Sequence, residues 1–106
     1  MRKLSNTVVL TSSGDEISSK EVLEGEHHVL LAQADLVNRD IALEFSSREA
    51  MYDFAKSLLR EAVFGSSGQI EFYSLVSEGR QLVVNGARMA EGSSRIFVTY
   101  GSERKL

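Results

Sequence analysis

Metal-binding side chains fall together once in this chain, at Glu24, Glu26, His27 and His28. In an extended strand neighbouring side chains point to opposite faces, so the two histidines cannot share one ion, whereas Glu26 and His28, two apart, can. A zinc site needs three or four ligands, and there is no third histidine and no cysteine to complete it. The expectation is no metal, with the histidines at a strand edge. A serine nucleophile needs a histidine base and an orienting acid. Serines here recur as adjacent pairs at 12–13, 18–19, 46–47, 66–67 and 93–94, where their value in turns and helix caps accounts for them. No Gly-x-Ser-x-Gly elbow is present. Gly65-Ser66-Ser67-Gly68 follows a helical pattern rather than opening one and has no lysine after it, so it is not a phosphate cradle. The carboxylate pair Asp15-Glu16 lies in a turn, where burial cannot raise a pKa. These readings give no catalytic residue and no cofactor.

Charge carries more information than catalysis does. The net charge is only −3, but between Asp15 and Glu26 five acids (Asp15, Glu16, Glu21, Glu24 and Glu26) face one base, Lys20. From Glu78 to the end five bases face three acids. An acidic segment of this kind suits a basic protein partner, and the overall acidity argues against nucleic acid, whose readers are usually net basic. With 42% apolar and 25% charged residues the chain has the composition of a folded domain rather than a disordered one. Its 106 residues are read as a single domain, 1–106, with 101–106 as a frayed polar tail. No apolar run approaches the roughly 20 residues that span a bilayer, and the N-terminus is too short in its apolar part for a signal peptide. A cytoplasmic protein without disulfides is expected.

The element that must position these groups is Ser46–Gly65. Ser46 with Glu49 three residues on forms a capping-box pattern, and Met51, Phe54, Ala55, Leu58, Leu59, Ala62 and Val63 recur at the spacing of one buried stripe. This predicts a helix over 47–64, stopped by Gly65 with positive φ. Arg48, Glu49, Asp53, Lys56, Arg60 and Glu61 fall on the outward face, with Tyr52 at the border. Around the helix the chain reads as strand: 7–11, 21–23, 28–36, 41–45, 69–76, 82–84 and 95–100. The runs 28–36 and 41–45 form a hairpin, with Ile41, Leu43 and Phe45 facing the helix. Asn85-Gly86 is the strongest two-residue hairpin turn. The fold class is therefore α+β: a mostly antiparallel sheet of six or seven short strands packed on one amphipathic helix.

The segment IALEFSSREAMYDFAKSLLREA followed by QIEFYSLV resembles, in layout, the strand, serine-capped helix and strand at the core of small bacterial immunity proteins of polymorphic toxin systems. The resemblance implies a non-enzymatic protein that neutralises a cognate toxin by binding it. It contains no motif position from which a functional residue could be carried over.

From the residues, the expected partner surface comprises Asp15, Glu16, Glu21, Glu24 and Glu26 together with Tyr73, an aromatic on a two-faced strand. The expected partner is another protein, such as a basic toxin domain. A homodimer through strand edges or stacked sheets is also expected, because a proline-free chain with many short strands has few ways to block its edges. The competing reading is a small enzyme or ligand-binding domain, with a deep pocket between helix and sheet lined by His27 or His28 and convergent acids.

Overall fold

The computed structural model describes residues 4–13 and 17–101. It is an α+β fold with, among the described residues, two helices, α1 (Lys20–Glu24) and α2 (Arg48–Phe64). Its strands are β1 (Leu30–Ala34), β2 (Ile41–Phe45), β3 (Gln69–Phe72), β4 (Val76–Ser77), β5 (Arg80–Gln81), β6 (Val83–Val84), β7 (Ala87–Arg88) and β8 (Ile96–Thr99). They pair antiparallel in twos, β1 with β2, β3 with β8, β4 with β5 and β6 with β7, so the single broad sheet expected from the sequence is replaced by four small ones. Residues 21–23, read as a strand, belong to α1, and 7–11 join no strand. Of the expected tail, 101–106, all but Gly101 lies outside the described residues.

The hairpin of β1 and β2 forms where the alternation placed it, with Leu30 opposite Phe45, Ala32 opposite Leu43 and Ala34 opposite Ile41. Its turn is held by Asp35, whose carboxylate accepts from the backbone of Val37 and Asn38 and from the Asn38 side chain. Those backbone donors hold the Asp35 carboxyl below the usual carboxylate range. Arg39 takes the left-handed conformation there, with φ 65°. On the far side of β1 the chain from Met89 to Ser94 runs alongside, with Ala90 N–H donating to Leu30 O and Ser94 N–H to Ala32 O. Asn85 and Gly86 both have positive φ and form the tight turn between β6 and β7.

α2 runs over the expected residues but buries a different face. Its buried residues are Ala50, Asp53, Phe54 and Ser57, while Met51, Ala55, Leu59, Ala62 and Val63 are exposed. Only Phe54 and the half-buried Leu58 belong both to the apolar stripe and to the packing. The helix is thus turned by roughly 100°, one residue step, from the orientation its hydrophobicity favours. Two contacts fix this. The β6–β7 turn presses on α2 at Gly86, where an added Cβ would stand 3.1 Å from Asp53 O and 2.5 Å from Ile17 Cγ2. The N-terminal segment takes up the polar flank: Ser19 N–H donates to Asp53 at 2.7 Å, Tyr52 Oη donates to Ser5 O, and Arg60 donates to Ser12 O and Ser13 O.

The helix starts on Ser47, whose Oγ accepts from Ala50 N–H, so Ser46 is not the cap. Gly65 closes it at φ −68°, without the left-handed geometry expected there. The core comprises Leu30, Ala32, Phe54, Ile70, Phe72, Ala87 and Met89, with Phe45, Leu58, Ile96 and Val98 packed on its rim. Phe54 stands between Phe72 and Phe45, at ring-centroid distances of 4.6 and 5.5 Å.

Candidate functional site

The two histidines and the Ser46-Ser47 pair form one clasp between the start of β1 and the start of α2. Ser46 Oγ accepts from Val29 N–H at 2.8 Å and donates to His27 O at 2.5 Å. Ser47 Oγ lies 2.5 Å from His28 Nδ1 while accepting from Ala50 N–H. The Ser47 hydroxyl and His28 Nδ1 thus share a hydrogen bond in which either atom can donate, alongside the cap that the same hydroxyl oxygen provides to the helix. His28 is buried and His27 exposed, with ring centroids 4.0 Å apart. Gly25 lets the ring in, since a Cβ there would stand 2.7 Å from His28 Cδ2.

A serine bonded to a histidine is half of a nucleophilic pair, but the other requirements are unmet among the described residues. No carboxylate is bonded to His28, and Ser47 is committed to capping a helix. No group of three or more metal-ligating side chains comes together among the described residues.

The acidic segment is divided by the fold. Asp15 and Glu16 lie outside the described residues. Glu21 is half-buried in the first turn of α1, whereas Glu24 and Glu26 are exposed at its end beside Leu23, itself an exposed apolar side chain. Glu26 is paired with Arg80 of β5. Tyr73 is half-buried beneath the Arg95 guanidinium, 5.5 Å from the ring centroid. The same guanidinium sits 5.0 Å over Phe97 and bonds to Glu71 at 2.8 Å. Phe97, not Tyr73, is the exposed aromatic of this sheet.

What holds α1 in place is Arg88, which sequence reasoning missed. It is 5% exposed, and its guanidinium donates to Val22 O at 2.7 Å, Gly25 O at 2.8 Å, Leu23 O at 3.2 Å and Gln81 O at 3.1 Å. These include carbonyls that a helix end leaves without intrahelical donors, and a cation there also meets the negative end of the helix dipole. Burial lowers the Arg88 pKa without approaching neutrality, since guanidinium stays charged in proteins. The one sequence signal was its place two residues after the Asn85-Gly86 turn.

Asp53 was also missed, having been placed on the outward face of α2. It is fully buried, accepts from Ser19 N–H through Oδ2, and has Oδ1 3.9 Å from Lys56 Nζ. Burial pushes its carboxyl pKa up, against the Ser19 bonds and the Lys56 charge, which pull it down. Ser57 is buried one turn on, and its Oγ has no hydrogen-bond partner among the described residues. It borders a polar recess of about 380 Å³ with Arg60, Glu61, Asn85 and Glu71.

A second recess, of about 400 Å³, is apolar and lies between α2 and the β3–β8 pair, lined by Leu58, Ala62, Ile70, Val98 and Tyr100. Neither recess includes a histidine. The apolar surface continues on the flank of α2 that carries Met51, Ala55 and Leu59, and on β2, where Leu43 is 41% and Ile41 77% exposed. Phe45 of the same strand and Phe54 of the same helix pack on each other at the core. No family model, curated protein or solved structure matches the chain.

Proposed function

We propose that this chain is a non-enzymatic protein-binding module. The observation that carries the reading is the orientation of α2. A helix with a strong apolar stripe leaves most of that stripe open, beside a hairpin strand whose Ile41 and Leu43 are also open. Exposed apolar side chains scattered singly need no explanation, but several on one helix flank and on the strand that packs against that helix point to an interaction surface. The pairing of His28 with Ser47 accounts for those residues as a clasp, and the two recesses described beside α2 include no histidine.

The concrete case is an immunity protein that neutralises a basic toxin domain. Its layout supports this, and so does the exposed end of α1, where Leu23 and Glu24 are open to solvent and Glu26, also exposed, pairs with Arg80. An apolar anchor with an acidic rim is suited to a basic partner, with charge acting mainly on association rate. The test is coexpression with the product of the neighbouring gene. A complex that survives gel filtration supports the reading if its association slows with salt, and slows again when Glu21, Glu24 and Glu26 are replaced together by Gln. A neighbouring metabolic operon and no complex would overturn the immunity role.

A further inference from the structure

We propose that β2 pairs edge to edge, antiparallel, with β2 of a second copy of this chain. This deepens the reading of the open apolar face as a protein interface and rests on it. β1 has neighbours on both sides, but β2 pairs only with β1 among the described residues. The direction of its free polar groups follows from two bonds. Asp35 N–H donates to Asp40 O and Ser46 N–H donates to Val29 O, so the even-numbered residues turn their backbone groups to β1. Ile41, Leu43 and Phe45 therefore direct N–H and C=O to the open edge. Their side chains lie on the face that meets α2, where Phe45 packs on Phe54.

The residues of β2 select one register. With Leu43 opposite Leu43 of the copy, Ile41 falls opposite Phe45 and Ala42 opposite Glu44, with no like charges directly opposed. The polar groups of Ile41, Leu43 and Phe45 then close three hydrogen-bonded pairs across the two-fold axis. A slip of two residues one way sets Asp40 opposite Glu44 at both ends of the pairing, and the other way sets Glu44 opposite Glu44, each penalised as a cross-strand pair of like charge. Odd slips put apolar side chains on the wrong face. The resulting sheet is four strands wide, β1-β2-β2-β1, with the apolar pairs on the α2 side. β2 has no proline or lysine to guard its edge.

The chain has no cysteine, so single cysteines report the register directly. Opposed residues of a hydrogen-bonded pair lie about 5.5 Å apart at Cα, within disulfide reach. Under mild oxidation Leu43→Cys should become a covalent dimer. Ala42→Cys and Glu44→Cys should each give no disulfide-linked dimer alone and cross-link when mixed. The unmodified chain should show twice its monomer mass in light scattering, and Leu43→Lys should halve it with an unchanged circular dichroism spectrum. A native chain that stays monomeric at high micromolar concentration, with no Leu43→Cys cross-link, overturns the pairing. So does a dimer that survives Leu43→Lys and cross-links instead through Phe97→Cys on β8. The wider protein-binding reading fails separately, only if the chain neither self-associates nor forms the coexpressed complex.

Discussion

Replacing Arg88 by Met removes the guanidinium while keeping much of the side-chain volume, which isolates its polar role. The two shortest bonds, to Val22 O and Gly25 O at 2.7 and 2.8 Å, are charge-assisted, and such bonds contribute about 1.5–3 kcal/mol each. The carbonyls left behind are at a helix end, and the Arg88–Val22 contact is buried. Water can reach the more exposed ones and recover part of the loss, so the net cost should be about 3–5 kcal/mol. That is a large fraction of the roughly 5–15 kcal/mol that holds a domain folded. Read by urea denaturation with a slope near 2 kcal/mol/M, the midpoint should fall by roughly 2 M. Arg88→Lys should recover less than half of the loss, because an ammonium cannot fork among several carbonyls. Hydrogen exchange should show α1 amides opening first. A midpoint shift under about 0.5 M, or full rescue by Lys, would refute the assignment of α1's anchorage to this guanidinium.

Asp53 sets a pH dependence of definite sign. Its folded pKa is raised, so between the ordinary carboxylate value and the raised one the folded state binds more protons than the unfolded state, and stability falls as pH rises through that window. Asp53→Asn keeps an acceptor for Ser19 N–H and should flatten that fall. A loss above about 1 kcal/mol at neutral pH would show instead that the Lys56 pair dominates. Ser47→Ala removes the helix cap and the His28 partner together and should cost about 1–2 kcal/mol in thermal or urea unfolding, whereas Ser47→Thr should restore most of it. Leu30→Ala, at a fully buried site, should cost about 2–5 kcal/mol. Leu59→Ala should stay within about 0.5 kcal/mol despite its central place in the apolar stripe.

The legible parts of the fold were those decided by local chemistry. The extent of α2, the β1–β2 hairpin and the Asn85-Gly86 turn follow from hydrophobic period and backbone geometry over a few residues. The face that α2 buries does not follow in that way. It depends on the β6–β7 turn pressing Gly86 onto the helix and on Ser19 reaching Asp53 across 34 positions of sequence. α1 was misread for a related reason. A five-residue helix has almost no stability of its own, and this one stands because Ser19 caps its start and Arg88, more than 60 positions away, holds its end. The same separation hid the clasp: in sequence His27-His28 reads as a strand edge and Ser46-Ser47 as turn and cap residues, and only the fold brings the two pairs together.

Two-stranded sheets are marginal in water without a further strand or a helix to cover them. The β3–β8 pair packs Ile70 and Phe72 into the core, and Leu58 of α2 lies at its rim. The β1–β2 hairpin is covered at one end only. Leu30 and Phe45 reach the core, but Ala34 and Ile41, four residues further along the ladder, stand in solvent. The far half of the hairpin therefore depends on its Asp35 turn and its ladder, and that half carries the open edge of β2. A second copy would add a strand to the part of the fold least supported from within. On this view the rotation of α2 and the exposure of β2 have one origin. The N-terminal segment and the β6–β7 turn occupy the polar side of the helix, which leaves the apolar flank of α2 and the outer half of β2 open for a partner chain.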